Sequence, residues 1–188
     1  MSTKKDKSVY SQDDLNSEDL AIHYWETINN LTGLLKSSEL KAGLILSLYG
    51  IIFNFVYQNA EKVKESLLEK SFLYILLSLW LLSTLLSIYY GLKTFIPRIE
   101  KKYKPNIFFF GDIISKYGDI EQFSKTFLKT AVDKEKVYDQ IGQQIYINAK
   151  ITALKFKNVN ASIRYLAVSM SLLGILILLE IMILLFFK

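Results

Sequence analysis

The stretch from Tyr165 to Phe187 constrains the chain more than any other. It is predominantly apolar and carries a single charge, Glu180. At about 1.5 Å per residue, a helix of this length crosses a hydrocarbon core of roughly 30 Å. Overall hydrophobic content, 51%, is only slightly raised, but it is concentrated in three blocks. The other two are Ala42–Tyr57 and Phe72–Leu92, both uncharged. The chain therefore reads as an all-α, multi-pass membrane protein with three transmembrane helices and a helical cytosolic segment.

Small residues mark possible packing faces on each span. Gly43, Ser47, Gly50 and Asn54 share one face of the first, where a second helix can approach closely and a buried Asn needs a hydrogen-bond partner. The alternative is a polar stripe along a water path. Ser83, Ser87 and Gly91 repeat the spacing on the second span. Trp80 falls near its middle, and Tyr89 and Tyr90 fall where an aromatic belt belongs. On the third span, Ala167, Ser171 and Gly174 form the expected packing face, and Glu180 lies about 150° around from its centre. An ionised carboxylate facing lipid near mid-bilayer costs several kcal/mol. Glu180 is therefore expected to be protonated and hydrogen-bonded to Asn54 or a Ser, or to face the wetted axis of an oligomer.

Basic residues near the span ends set the orientation. Lys36, Lys41, Lys93, Arg98, Lys101, Lys102, Lys104, Lys150, Lys155, Lys157 and Arg164 fall on one side, and Lys62, Lys64, Lys70 and Lys188 on the other. That asymmetry places the N-terminus in the cytosol and the C-terminus outside. The expected organisation is a disordered cytosolic tail over 1–16, an amphipathic cytosolic helix over 17–41, a two-span hairpin over 42–97, a cytosolic sensor segment over 98–164 and the last span over 165–188.

Asn16 or Ser17 caps the amphipathic helix, whose Leu20, Tyr24, Ile28, Leu31 and Leu35 recur at helical spacing. That face packs on the cytosolic part or lies on the membrane surface. Within 98–164, Pro97 and Pro105 interrupt helix, and Lys101, Lys102 and Lys104 lead into Asn106-Ile-Phe-Phe-Phe-Gly111. Three consecutive Phe side chains cannot all stand exposed on a stable soluble surface, so this loop is expected to be buried. A helix over about Asp119–Val132 is expected to turn Ile120, Phe123, Phe127 and Ala131 inward. Ile141, Ile145, Ala149, Thr152, Phe156, Val159 and Ile163 then repeat at near-heptad spacing with no breaker before the last span. One helix from about Val137 to Phe187, roughly 75 Å long, follows.

The absence of Cys removes disulfides, thiolate metal sites and a Cys nucleophile. The single His, His23, is read as a solvated helix residue and not as a metal ligand. The Gly residues are scattered, with no phosphate-cradling loop. No catalytic residue, metal site or cofactor is expected, and the chain is read as a non-enzyme with no polymeric nucleic acid partner. A net charge of +5 suits an anionic membrane surface or an anionic ligand.

Lys41-Ala42-Gly43 opens a span, Asn106 precedes Phe109-Phe110-Gly111, and Gln144-Ile145 is followed by Lys155-Phe156-Lys157 before the last span. In that order and spacing, over about residues 20–187, the chain resembles the transmembrane effectors of Pycsar anti-phage systems. The resemblance implies an antiviral effector of the bacterial inner membrane. A pyrimidine nucleotide cyclase makes cyclic CMP or cyclic UMP on infection, and the effector senses it and damages the membrane, causing abortive infection. The family's usual Asp or Asn shortly before the first-span Lys is replaced by Ser38-Glu39-Leu40-Lys41. A cyclic nucleotide needs a cation for its phosphate and an aromatic or guanidinium plane for its base. Arg98, Lys101, Lys102 and Lys104 beside Phe108 and Phe110 offer both, as do Lys150, Lys155 and Lys157 around Phe156. The same basic residues also satisfy the positive-inside rule alone. Asn54 and Glu180 are the candidate membrane-active residues. Three spans enclose little space, so activity is expected from a homo-oligomer. The competing reading is a channel or transporter subunit, or a membrane scaffold, with no nucleotide input.

Overall fold

The computed structural model describes residues 17–61, 64, 71–96 and 104–186. Described residues form helices and connecting turns, with no strand among them. The main helices are α1 (Ser17–Gln58), α2 (Ser71–Phe95), α3 (Phe110–Lys116), α4 (Ile120–Val132) and α5 (Lys134–Phe186). Three of these, α1, α2 and α5, are long and apolar enough to cross a membrane. At 53 residues α5 is about 80 Å long, the single unbroken helix expected to join the near-heptad repeat to the last span. Helix α1 likewise runs 42 residues without a break at Lys41. The chain divides into two compact units: Met1–Gly33 with Ile99–Lys150, and Leu34–Arg98 with Ile151–Lys188.

The second unit is a bundle of the later part of α1, α2 and the later part of α5. Its core is Ala42, Ile45, Tyr49 and Ile52 from one stripe of α1, with Trp80 of α2 and Val159 of α5. Tyr49 is 1% exposed and Val159 fully buried, so α1 packs on this stripe and not on the small-residue face predicted for it. Ser47 and Asn54 are exposed, and a side chain added at Gly50 would meet nothing within 4 Å. The larger stripe wins because its side chains make more dispersion contacts and fill the interhelical space.

Helix α2 behaves as its spacing predicts. Ser87 exchanges hydrogen bonds with Ser162, each hydroxyl donating to the other's carbonyl at 2.8 Å. Thr84 and Ser169 share a further bond at 2.7 Å, and Tyr90 stacks on Tyr165 with centroids 5.7 Å apart. The hydrogen-bonded pairs Thr84–Ser169, Ser87–Ser162 and Lys93–Asn158 rise on α2 as they fall on α5, so the two helices run antiparallel. A Cβ at Gly91 would lie 3.4 Å from both Leu46 and Ser162, which shows how closely the helices approach there. The predicted small face of α5 is not used. Ala167 and Ser171 are exposed, and Ser171 donates to its own helix at Ala167 O, 2.9 Å. Large apolar side chains line the outer faces, among them Leu44, Ile51, Phe55, Ile75 and Leu82. That is the pattern of helices with lipid around them, where apolar exposure carries no penalty.

In the first unit, Asp119 caps α4, its Oδ1 accepting from Gln122 N at 2.9 Å. Gly118 precedes it at φ +75°, and a Cβ there would fall 1.9 Å from Gln122 Oε1. Asp133 ends α4, donating to Thr130 O at 3.1 Å, and starts α5 by accepting from Lys136 N at 3.2 Å. The predicted inward face of α4 is only partly realised. Phe123 is half-buried, but Ile120 is 84% exposed and Phe127 40%; Ala131 is exposed as well. A 13-residue helix touching the unit mainly through its ring contacts to Tyr117 and Phe108 leaves the rest of its apolar stripe uncovered.

Candidate functional site

The first unit carries a half-open cavity of about 440 Å³, within the range of sites for small organic ligands. Four aromatic residues line it: Tyr24 and Trp25 from α1, Phe108 from the loop before α3, and Tyr138 from α5. Tyr24 and Tyr138 pack against each other in its wall, with ring centroids 5.5 Å apart. Gly142, one turn further along α5, lets the Tyr24 ring come close, since a Cβ there would lie 3.7 Å from it. Trp25 is 65% exposed and forms a rim. Lys134, Gln144 and Asn148 supply the polar groups, all from one face of α5.

Asn106 holds the loop that brings Phe108 to this wall. The buried Asn106 side chain donates to Gln140 O at 2.6 Å and accepts from Phe108 N at 2.9 Å. Its backbone N donates to Asp112 Oδ2 at 2.9 Å, and Ile107 N donates to Gln140 Oε1 at 3.0 Å. A loop whose backbone groups are satisfied in this way is tied firmly to α5. The three Phe residues divide between environments: Phe109 is buried, Phe108 half-buried, and Phe110 70% exposed.

The polar chemistry of the cavity is uneven. Gln144 is 9% exposed; its Nε2 donates to Asn148 Oδ1 at 3.0 Å, while its Oε1 has no hydrogen-bond partner. Lys134, at the start of α5, is exposed, and no carboxylate pairs with it among the described residues. The neighbouring Asp133 is engaged by Lys136 at 2.5 Å. That hydrogen bond to Lys136, reinforced by the backbone and by charge, lowers the Asp133 pKa; the bond to Asp133 raises that of Lys136. A second, smaller cavity of about 100 Å³ is lined by Tyr117, Lys136, Asp139 and Gln140 among others. Burial, with the Asp112 carboxylate nearby, raises the Tyr117 phenol above its ordinary value.

The residues singled out from the sequence are dispersed. Arg98, Lys101 and Lys102 lie outside the described residues. Lys104 is exposed on the loop. Phe108 lines the larger cavity, and Phe110 does not. Lys150 is half-buried and Lys157 exposed. Lys155 is buried in the second unit and pairs with Glu39, while Lys41 lies over the Phe156 ring at 5.7 Å. Asn54 is exposed and accepts from Gln58 Nε2 at 3.2 Å, and Glu180 is half-buried on α5. No group of His, Cys or acidic residues suited to a metal occurs among the described residues.

Sequence reasoning passed over Trp25, Lys134, Gln144 and Asn148 as cavity residues. One signal was present: Gln144 and Asn148 stand at i and i+4 among the apolar positions Ile141, Ile145 and Ile147, where a polar side chain needs a reason. Among protein families, the model described as the Pycsar effector protein domain, PycTM, matches residues 23–182. No curated protein matches the chain, and no solved structure does.

Proposed function

The chain belongs to the Pycsar effector family, and from that membership we propose that it is an antiviral effector sensing cyclic CMP or cyclic UMP and disrupting the bacterial inner membrane. The observation that carries this reading is the family match over residues 23–182. The three long apolar helices support the membrane half of it, and the aromatic cavity supports the nucleotide half. A pyrimidine nucleotide cyclase supplies the signal on phage infection, and the cell dies before phage mature.

The protein acts by binding and not by catalysis. Its N-terminus lies in the cytosol and its C-terminus outside, following the excess of basic residues at one set of span ends. Activity comes from a homo-oligomer. Ser47 and Asn54 on α1, and Ala167 and Ser171 on α5, stand exposed and leave two small-residue faces on which further copies can pack.

Two measurements test this. Purified protein is titrated calorimetrically with cyclic CMP, cyclic UMP and cyclic AMP, and reconstituted liposomes are followed for dye release. A cyclic pyrimidine nucleotide should bind and trigger release, and cyclic AMP should do neither. Release that ignores every nucleotide overturns the reading in favour of a channel or scaffold without nucleotide input. Reporter fusions test the orientation: a cytoplasm-dependent reporter should work at the N-terminus and stay silent at the C-terminus.

A further inference from the structure

We propose that the 440 Å³ cavity of the first unit is the nucleotide site, with the phosphate at its Lys134 end and the base edge at its Gln144 end, and that it prefers cyclic CMP to cyclic UMP. This rests on the nucleotide-sensing reading above and adds the site and the base.

Polarity comes first. Lys134 and Gln144 stand on one face of α5, about 15 Å apart along the axis, so the cation and the amides occupy opposite ends of the lining. Lys134 is also the first residue of α5, where the positive end of the helix adds to its ammonium. A mononucleotide has the matching polarity, with charge at one end and hydrogen-bonding groups at the other.

Charge is the second argument. The described lining offers one cation and no carboxylate, which suits the single negative charge of a cyclic monophosphate. A diphosphate or triphosphate would leave charge unmet. Between the two ends, Tyr24, Trp25, Phe108 and Tyr138 provide ring faces for sugar and base.

Gln144 decides the base. Its Nε2 is engaged by Asn148, and its Oε1 is a buried acceptor with no partner that a ligand donor meets once the side chain turns toward the cavity. Buried acceptors are seldom left unmet, and a ligand donor relieves this one. Cytosine carries an exocyclic amine, a donor, where uracil carries a carbonyl oxygen. Uracil in the same pose sets two acceptors against each other.

The test is calorimetric titration of the full chain in detergent. Wild type should bind cyclic CMP about tenfold more tightly than cyclic UMP, the discrimination expected from one mispaired buried group. Gln144→Leu should weaken cyclic CMP by about tenfold and erase the difference between bases. Gln144→Glu, which offers only acceptors, should keep the preference. Lys134→Gln, at an exposed position that does not disturb packing, should weaken both nucleotides alike and flatten their salt dependence. Equal wild-type affinity for the two bases overturns the base assignment. Wild-type binding unchanged in both Gln144→Leu and Lys134→Gln overturns the site while leaving nucleotide sensing intact. If wild type binds neither nucleotide, the sensing reading falls and this one with it.

Discussion

Ser87 and Ser162 each donate a hydrogen bond to the other's backbone carbonyl at 2.8 Å. A helical Ser ordinarily bonds back to a carbonyl of its own helix, as Ser47 and Ser171 do. Here both hydroxyls instead cross to the neighbouring helix, which requires the α2 and α5 backbones to lie unusually close. In surroundings where apolar burial drives little association, such contacts and close packing hold helices together.

This contact gives the first prediction. Ser87→Ala should cost about 0.6 kcal/mol, the mean for interhelical hydrogen bonds in membranes, and at most about 1.7 kcal/mol. Ser162→Leu should cost more, because Gly91 and Leu46 already occupy the space beside it. Reversible unfolding in mixed micelles measures both. A Ser162→Leu protein as stable as wild type would show that the helices do not need this approach.

Lys155 and Glu39 form an ion pair whose members differ in burial, with side chains 11% and 35% exposed. Glu39→Gln strands the more buried charge and should destabilise by about 1–3 kcal/mol. Lys155→Met leaves a carboxylate with better access to its surroundings and should cost less. The double variant should recover part of the loss, since replacing both charges is far milder than removing one. A double-mutant cycle with purely additive losses would argue against a pair.

Asn106 joins loop to helix through bonds to Gln140 and Phe108. Asn106→Ala should destabilise the first unit by about 2–3 kcal/mol, from lost bonds and a stranded Phe108 amide. It should also release Phe108 from the cavity wall, so any ligand held there binds more weakly. Limited proteolysis near residue 108 should accelerate in this variant. Unchanged proteolysis and binding together would show that the loop is held by Ile107 and Phe109 packing alone.

The Asp133–Lys136 pair predicts how the start of α5 responds to pH. The folded-state pKa of Asp133 is depressed, so its contribution is present above the ordinary carboxylate range and disappears as pH falls through the depressed value. That of Lys136 is raised, so its contribution holds below the ordinary ammonium value and disappears as pH rises through the raised one. NMR Cα shifts of residues 135–138 should therefore be helical and constant at neutral pH and move toward coil in strong acid. Asp133→Asn preserves a good cap and should remove the acid transition. An identical acid transition in that variant would assign it to another group.

Much of the architecture was legible because membrane spans obey a length and hydropathy rule that needs no neighbour. The runs at Ala42–Tyr57 and Phe72–Leu92 and the described part of Tyr165–Phe187 follow from composition and lie in α1, α2 and α5. The same holds for the unbroken path into the last span, because a helix continues wherever nothing interrupts it. The bounds of the helix over about Asp119–Val132 are likewise local chemistry.

Which side of α1 and of α5 meets its neighbours was not legible. Gly43, Ser47 and Gly50 look like a packing face, as do Ala167, Ser171 and Gly174, yet Ala42, Ile45, Tyr49, Ser162 and Ser169 are the buried positions. Small residues permit close approach without requiring it. The choice belongs to whichever pair of complete surfaces fits best.

The sequence alone therefore determined the helical class, the three spans and the long final helix, since each depends on residues adjacent in the chain. Tertiary structure alone decided that Lys155 is spent on Glu39 and that Tyr24 and Trp25 share a cavity with Gln144. The physical reason is that pairing and cavity formation depend on groups distant in sequence arriving at one place, and no local period records their meeting.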